Sequence, residues 1–287
     1  MPVITVYAYA KLNLTLDVLG KREDGYHDLR MLMQTVTLRD TIKLETSGAE
    51  GVTVTTNLRY LPSDSRNIAA KAAERFLSET RAACGVSIRI EKHIPVCAGM
   101  AGGSADGAAV LRGLRDLLCP ELTNRELARM GEAVGSDVPY CVLGGTMLAE
   151  GRGEILTPMP PMPMCHVVIS KPNFSISTPA LFSKIDCRKI VRRPDTAGAV
   201  RCLEEGDLAG LARRIYNVFE DILPAQYRDV GIIRGQLIER GALGAGMSGT
   251  GPSVFGLFEE EAAAKGAYQA LKTAYPATFL AKIKNEV

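Results

Sequence analysis

Residues 95–107 read Pro-Val-Cys-Ala-Gly-Met-Ala-Gly-Gly-Ser-Ala-Asp-Gly, a segment with four glycines. A strand-like run over 86–91 precedes it, and residues at helical spacing follow: Val110, Leu114, Leu117 and Leu118. Glycine lets a backbone approach a ligand closely, and a helix start presents unpaired N–H groups with partial positive charge. The order strand, glycine-rich loop, helix therefore predicts an anion site, usually filled by phosphate. A plain tight turn is the alternative.

Two other nucleotide-binding patterns do not fit the chain. A Walker A loop ends in Gly-Lys-Ser/Thr, but Ser104 directly follows Gly103. Residues 244–249 match Gly-x-Gly-x-x-Gly, yet the strand-like run 253–258 stands where a dinucleotide-binding fold needs a helix. We interpret this second glycine-rich segment as a turn that packs near the first.

The segment from Val6 to Val18 alternates apolar and polar residues, which predicts a strand with one buried face. Lys11 and Asn13 point the same way, off that face. On this pattern alone, simple exposure to water is the favoured explanation. Asp137, in Gly-Ser-Asp-Val-Pro (135–139), has two interpretations as well. It either caps a proline-started helix or offers a carboxylate that can take a proton from a substrate hydroxyl.

The rest of the chain predicts alternating strands and helices. Asp24-Gly25 is a turn signal, and 30–45 is strand-like with a break at Arg39-Asp40. Helices are predicted over 67–77, 124–134 (capped by Thr123 or Asn124), 208–222, 231–240 and 259–274, and further strands over 166–171, 253–258 and 278–283. Four prolines between 158 and 163 place a domain boundary there, which gives domains 1–157 and 158–287, the second an α/β sandwich.

Composition narrows the class of protein. The 287 residues are 46% hydrophobic and carry a net charge of +2, which indicates an ordinary globular chain and gives no sign of a nucleic-acid, membrane or protein partner. Seven cysteines without a Cys-x-x-Cys pair and three histidines without metal-ligand spacing argue against disulfides and structural zinc. The strand pattern begins within a few residues of Met1, so we expect no targeting segment and a reduced, cytoplasmic protein.

Taken in order, five segments resemble the galactokinase, homoserine kinase and mevalonate kinase (GHMP kinase) superfamily along nearly the whole chain. They are Ala10–Leu14, Gly20–His27, Ile94–Ser104, Gly135–Pro139 and Gly246–Gly251. The loop marks the superfamily. The segment Gly-Lys-Arg-Glu-Asp-Gly-Tyr-His (20–27) is narrower and resembles the branch that acts on a cytidine-diphosphate-linked methylerythritol.

The resemblance implies an α+β, two-domain GHMP-kinase-like fold. Its N-terminal domain would be ribosomal-protein-S5-like and its C-terminal domain ferredoxin-like, with ATP and substrate in the cleft between them. It implies ATP-dependent phosphorylation of the 2-hydroxyl of 4-(cytidine 5'-diphospho)-2-C-methyl-D-erythritol, a step of non-mevalonate isoprenoid precursor synthesis, with Mg²⁺ as cofactor. Mevalonate, phosphomevalonate or homoserine as acceptor, and a non-catalytic nucleotide-binding relative, are the alternatives.

The resemblance also assigns roles to residues. Lys11 and Asp137 would be the catalytic pair, and Ser104 would be the hydroxyl near magnesium. The ATP-binding residues would be Pro95, Val96, Cys97, Ala98, Gly99, Met100, Ala101, Gly102, Gly103, Ser104 and Ala105. The substrate-binding residues would be Asn13, Tyr26, His27, Thr178 and Phe182. The loop departs from the family pattern at Met100, Ala105 and Gly107, where Leu, Ser and Ala are usual. Ala105 removes one hydroxyl, which leaves Ser104 as the hydroxyl nearest the phosphates.

Overall fold

Across residues 2–287, the part of the chain that the computed structural model describes, the strands form two sheets. The strands are β1 (Val3–Lys21), β2 (His27–Ser47), β3 (Val52–Thr56), β4 (Gly85–Glu91), β5 (Thr146–Gly151), β6 (Ile155–Pro158), β7 (His166–Lys171), β8 (Tyr216–Asn217), β9 (Gly244–Met247), β10 (Val254–Phe258) and β11 (Ala277–Lys282). The helices are α1 (Ile68–Thr80), α2 (Gly102–Leu118), α3 (Asn124–Glu132), α4 (Val138–Leu143), α5 (Thr178–Phe182), α6 (Thr196–Glu205), α7 (Leu208–Ala212), α8 (Asp229–Glu239) and α9 (Glu261–Ala274).

The first sheet has the order β3-β4-β2-β1-β8, with β5 and β6 added along β2, and the second has the order β11-β7-β10-β9. Strands β1 and β2 form a long antiparallel pair, so the predicted first strand is confirmed and extends beyond both predicted ends. The first half of β2 also pairs with β5 and the second half with β4. One long hairpin therefore organises the whole first sheet.

The predicted break at Arg39-Asp40 is wrong, because β2 runs through it. Asp40 is fully buried, and its Oδ1 accepts from the backbone N–H groups of His93 (2.5 Å) and Ile94 (2.8 Å). The buried Lys92 ammonium pairs with Asp40 and lies 2.6 Å from Asp106 Oδ2. Burial raises the pKa of Asp106 to about 8 although Lys92 opposes the rise, so a protonated Asp106 lets Lys92 balance Asp40.

Helices α1 and α2 pack against one face of the first sheet. The Asn67 side chain caps α1 by accepting from the N–H of Ala69, and Phe76 lies fully buried on the inner face, so this predicted helix is confirmed. Gly113 lets α2 approach the sheet, because a Cβ there would overlap Leu44 and lie 3.2 Å from Val6 Cγ1. Among the helices of residues 2–287, none combines the length and apolar character needed to cross a bilayer.

The second half of the chain matches the predicted elements within two residues at β7, β10, β11, α8 and α9. The predicted helix over 208–222 is wrong: α7 ends at Ala212, and the chain then extends to pair Tyr216 and Asn217 with β1 in parallel. The Asn217 side chain accepts from the N–H of Phe219 and starts a 3₁₀ turn over Val218–Ile222. Because β6 reaches Pro158 and β8 joins the first sheet, a domain boundary at 158 stays a prediction.

The Asp40 cluster makes a prediction about stability. Asp40→Ala should lower the free energy of unfolding by about 2–5 kcal/mol, because it strands two backbone N–H groups and removes a partner of a buried ammonium. Urea denaturation followed by circular dichroism measures this change. Asp64→Ala, which removes an exposed partner of Arg66, is the control and should hardly move the midpoint. Equal midpoints for the two variants would contradict the buried role of Asp40.

Candidate active site

A cleft of about 890 Å³ contains most of the predicted site residues. Its lining includes Lys11, Asn13, Tyr26, His27, Cys97, Gly99, Ala101, Asp137, Thr178 and Phe182. The other predicted ATP-binding residues lie outside this lining: Pro95, Val96, Ala98, Met100, Gly102, Gly103, Ser104 and Ala105. The sequence therefore located the cleft from five separate segments, and the structure brings those segments together. The roles of the individual residues stay predictions.

Lys11 and Asp137 meet at the centre of the cleft. The Lys11 Nζ lies 4.0 Å from Asp137 Oδ2 and donates a 2.7 Å hydrogen bond to Asn13 Oδ1. Lys11 is almost fully buried, whereas about a third of the Asp137 side chain is exposed. The strand that carries Lys11 and Asn13 turns them into the cleft rather than toward bulk water, so the explanation by simple exposure is wrong.

Asp137 precedes α4 but does not cap it. Within the described chain its carboxylate makes no capping hydrogen bond, and its backbone is already helical at φ −89° and ψ −7°. Val138 and Pro139 begin the helix directly after it. The interpretation of Asp137 as an N-cap is therefore wrong, and both carboxylate oxygens are available to a ligand.

The glycine-rich loop ends at a helix start with free donors. Ala101 lies in the left-handed region at φ 55°, and the Ala105 N–H donates to Ala101 O at 2.8 Å as the first helical bond of α2. The N–H groups of residues 102–104 consequently precede the first intrahelical bond and are available to an anion. Cys97 is also left-handed, at φ 51°. Non-glycine residues in that region are strained, which is typical of functional loops.

The glycines of this loop serve packing as much as ligand approach. A Cβ on Gly99 would overlap Ser248 O, one on Gly102 would lie 3.0 Å from Ile94 Cγ2, and one on Gly103 would lie 3.2 Å from Ile68 Cδ1. The missing side chain at each of these glycines therefore lets the loop pack closely against neighbouring parts of the protein. The sequence pattern did not reveal this role.

The second glycine-rich turn docks on the first, as predicted. Ser248 is fully buried; its Oγ donates to Gly99 O at 2.9 Å and accepts from the Asn13 N–H at 3.2 Å. The Lys11 N–H donates to Met100 O at 3.2 Å, which ties the loop to β1 as well. The glycine-rich loop, the turn 246–251 and the strand carrying Lys11 form one connected unit.

The donor set suits a magnesium ion that is held mainly by nucleotide phosphates. A Cβ on Gly135 would lie 3.9 Å from Ser104 Oγ, so this hydroxyl lies beside the turn that carries Asp137. Among residues 2–287, no group of three or more His, Cys, Asp or Glu side chains could hold a metal ion. Mg²⁺ is commonly bound by one or two protein oxygens together with substrate phosphates, so Ser104 fits this role.

Aromatic side chains line the other end of the cleft. The rings of His27 and Phe182 lie 5.2 Å apart, and Phe182 packs edge-on against Phe219 at 4.8 Å. Burial, assisted by the nearby Lys21, lowers the pKa of His27. At neutral pH the imidazole is therefore uncharged and offers one donor and one acceptor. The Thr178 hydroxyl lies 2.8 Å from that of Thr250, which links α5 to the second glycine-rich turn.

The sequence analysis did not predict two positively charged side chains at this end of the cleft. Arg152 lies with its guanidinium carbon 5.2 Å from the Tyr26 ring, and Lys21 lines the same part of the cleft. Lys21 belongs to the narrow 20–27 motif, which gave a signal for it. Arg152 stands between Gly151 and Gly153 in a hairpin turn, and a turn pattern carries no information on what the turn faces.

The comparisons with known proteins agree with this geometry. The model described as GHMP kinases N terminal domain matches residues 67–145, and the model described as GHMP kinases C terminal matches 199–277. A 4-diphosphocytidyl-2-C-methyl-D-erythritol kinase of Clostridium tetani is 42% identical over 96% of this chain and 99% of its own length. One of Clostridium botulinum is 43% identical over 96% of this chain and 98% of its own.

The chain belongs to the 4-diphosphocytidyl-2-C-methyl-D-erythritol kinases, a branch of the GHMP kinases. A crystal structure of a 4-(cytidine 5'-diphospho)-2C-methyl-D-erythritol kinase superposes on this GHMP kinase with a TM-score of 0.83 at 29% identity and covers 98% of this chain and 99% of that one. A homoserine kinase from Cytophaga hutchinsonii, with a TM-score of 0.76 at 20% identity over 100% of this chain and 96% of its own, shares the fold. The α+β GHMP kinase fold is thereby confirmed.

The contact between the two glycine-rich turns leads to a prediction about nucleotide affinity. Gly99→Ala forces a Cβ into Ser248 O at a left-handed φ of 74°, so the loop must move and ATP affinity should fall at least about tenfold. Titration calorimetry with ATP measures the loss. Gly266→Ala is the matched control: within the described chain its Cβ would meet no atom within 4 Å, and ATP affinity should not change. Unchanged affinity in a folded Gly99→Ala protein would contradict the phosphate role of the loop.

Proposed function

We propose that this protein transfers the γ-phosphoryl group of ATP to the 2-hydroxyl of 4-(cytidine 5'-diphospho)-2-C-methyl-D-erythritol. The proposal rests above all on one juxtaposition: the Lys11 ammonium and the Asp137 carboxylate, 4.0 Å apart, lie in one cleft with the glycine-rich loop and an aromatic wall. The names of its relatives give the same reaction class and substrate.

Asp137 would accept the proton of the acceptor hydroxyl. Its carboxylate is partly exposed in the cleft and makes no capping bond within the described chain, so it can hydrogen-bond an incoming hydroxyl. Lys11 would stabilise the alkoxide that develops as the proton leaves. Asn13 holds the Lys11 ammonium at 2.7 Å, which fixes its direction and leaves further N–H donors for substrate and phosphate.

The phosphate loop would place the nucleotide for in-line transfer. The N–H groups of residues 102–104 and the positive end of the α2 dipole attract the phosphates, and positioning supplies most of the catalysis in such reactions. Cys97, Gly99 and Ala101 line the approach. Ser104 would hold Mg²⁺, which neutralises charge on the phosphate oxygens when bound.

The aromatic end of the cleft would hold the cytidine. Tyr26 is 57% exposed and Phe182 faces the same cavity, so both offer a face to a base, and such stacking contributes about 1–3 kcal/mol. Neutral His27 would hydrogen-bond the base edge, and Thr178 lies beside the same pocket. Lys21 and Arg152 supply positive charge for the diphosphate.

A reducing, cytoplasmic location completes the proposal. Within residues 2–287 all the cysteines are free thiols, including the exposed Cys97 in the phosphate loop. Free thiols next to a nucleotide site are compatible with a compartment that keeps cysteine reduced.

The identity of the substrate that accepts the phosphoryl group tests the proposed function. A coupled assay of ADP release should show turnover with the cytidine-diphosphate-linked methylerythritol, and little with mevalonate, phosphomevalonate or homoserine, because only the first carries a base for the aromatic wall. 2-C-Methyl-D-erythritol 4-phosphate, which lacks the cytidine, is the matched control acceptor. Phosphorus NMR of the product locates the new phosphate. Equal rates with the control acceptor would exclude cytidine recognition, and turnover of homoserine or mevalonate alone would support another GHMP kinase.

Asp137→Asn tests the proposed base. The change keeps the shape of the side chain but removes its ability to accept a proton, so kcat should fall about 100-fold or more. ATP affinity should stay within about threefold, because the nucleotide is held by the loop N–H groups. Asp116→Asn, at an exposed carboxylate of α2 that pairs with Arg115, is the control and should keep full activity. A kcat within a few-fold of wild type would remove Asp137 from the role of base.

A further inference from the structure

Three buried residues outside the cleft lining form a closed ring of hydrogen bonds. The Gly145 N–H donates to Thr35 Oγ1 at 3.1 Å, and the Tyr140 hydroxyl donates to Gly145 O at 2.8 Å. Thr35 Oγ1 and the Tyr140 oxygen lie 3.0 Å apart. Because the Tyr140 hydroxyl donates its only proton to Gly145 O, the Thr35 hydroxyl donates to the Tyr140 oxygen. Every hydroxyl proton of the ring therefore has an acceptor.

The ring is shielded from water. Thr35 is 2% exposed and Tyr140 is 1% exposed. Burial raises the pKa of Tyr140 well above its usual range, so the phenol keeps the proton that it donates. In such surroundings the bonds of a closed network reinforce one another, and loss of the Thr35 hydroxyl leaves the buried Gly145 N–H without its acceptor.

The position of the ring connects the two proposed catalytic residues. Thr35 is the cross-strand partner of Lys11 in the antiparallel pairing of β1 and β2. Tyr140 lies one helical turn after Asp137, and the Cys141 N–H donates to Asp137 O at 3.0 Å. The ring thus joins the strand position opposite the lysine to the helical turn that carries the carboxylate.

The side chain of Asp137 itself does little to fix this separation. Within residues 2–287 the Asp137 carboxylate makes no capping bond, and at 4.0 Å its contact with Lys11 is longer than a hydrogen bond. Helix α4 is only six residues long. The C-terminal residues support the ring from the far side: the Lys284 N–H donates to Thr35 O at 3.0 Å, and Val287 packs against Gly144.

We propose that Thr35 and Tyr140 are positioning residues whose hydroxyl ring sets the separation between Lys11 and Asp137. Neither residue is among those that line the cleft. The inference rests on the proposed function, because it assigns these two residues to the same phosphoryl transfer. A displacement of about 1 Å in a reacting group reduces rates by about 100-fold, so small movements of α4 have large kinetic effects.

Substitutions that differ by single hydroxyl groups test the proposal. Thr35→Val keeps the volume and removes the hydroxyl, and Tyr140→Phe removes only the phenol oxygen. Each should lower kcat about tenfold or more while KM for ATP stays within about twofold, because the phosphate loop is not part of the ring. Thr35→Ser restores the hydroxyl and should recover most of the activity. The double variant should be little worse than either single one, since both break the same ring.

A matched control separates positioning from simple loss of stability. Val54→Ala removes buried apolar volume from β3, outside the cleft lining, and should lower the unfolding midpoint without lowering kcat. All variants are assayed at a temperature where circular dichroism shows them folded. A wild-type kcat in folded Thr35→Val, or an equal loss of kcat in Val54→Ala, would overturn the proposal.

A second readout keeps this inference distinct from the proposed function. If wild-type protein phosphorylates none of the acceptors, the function fails, and hydrogen exchange of residues 137–145 still tests the ring. Thr35→Val should speed exchange across α4 at least about tenfold, and Thr35→Ser should not. Equal protection of α4 in the two variants would overturn the positioning role whatever the substrate is.

Discussion

The main-chain contact between Gly99 and the turn 246–251 is the constraint on which the cleft depends. A Cβ on Gly249 would lie 2.9 Å from Gly99 O, and one on Gly99 would overlap Ser248 O, so the two backbones touch with no room for side chains. Ser248 adds hydrogen bonds to Gly99 and to the backbone of Asn13. The approach fixes the glycine-rich loop relative to the strand that carries Lys11, although the partners are more than 140 residues apart in sequence.

The charged cluster beneath the loop performs a related task from inside the first sheet. Asp40 holds the backbone at residues 93 and 94, just before the loop begins, and Lys92 reaches across to Asp106 inside α2. One oxygen of Asp106 has no partner within residues 2–287. Breaking a buried cluster of paired charges costs much free energy, so this cluster favours one arrangement of strand, loop and helix over its alternatives.

Local patterns predicted the elements and the site segments because these depend on short-range chemistry. The alternation over 6–18 follows from side-chain directions within one strand, and the spacing from Val110 to Leu118 follows from those within one helix. The errors came from long-range effects. The strand continues through Asp40, whose hydrogen-bond partners lie more than 50 residues further along the chain. The helix ends at Ala212, and the chain then pairs with the edge of β1, a strand from the other end of the sequence.

The same limit applies to the site. Asp137 looked like a helix cap because that is what the local sequence Ser-Asp-Val-Pro usually encodes, and only the fold reveals that its oxygens are free of that task. Arg152, Thr35 and Tyr140 had no motif at all: their importance comes from partners on other elements, such as the Tyr26 ring or Gly145. The resemblance to a family predicted residues of the cleft, and only the structure revealed the residues that surround them.

The short strand β8 has a consequence for the autonomy of the two halves. Tyr216 and Asn217 cover part of the β1 edge at Thr15 and Leu16, while Ile283 bridges to Val36 on the other long strand. A fragment that ended before residue 158 would expose backbone donors and acceptors of a long apolar strand, a surface prone to pairing with other chains. The second half therefore shields part of an edge of the first, and a first half truncated there is expected to self-associate.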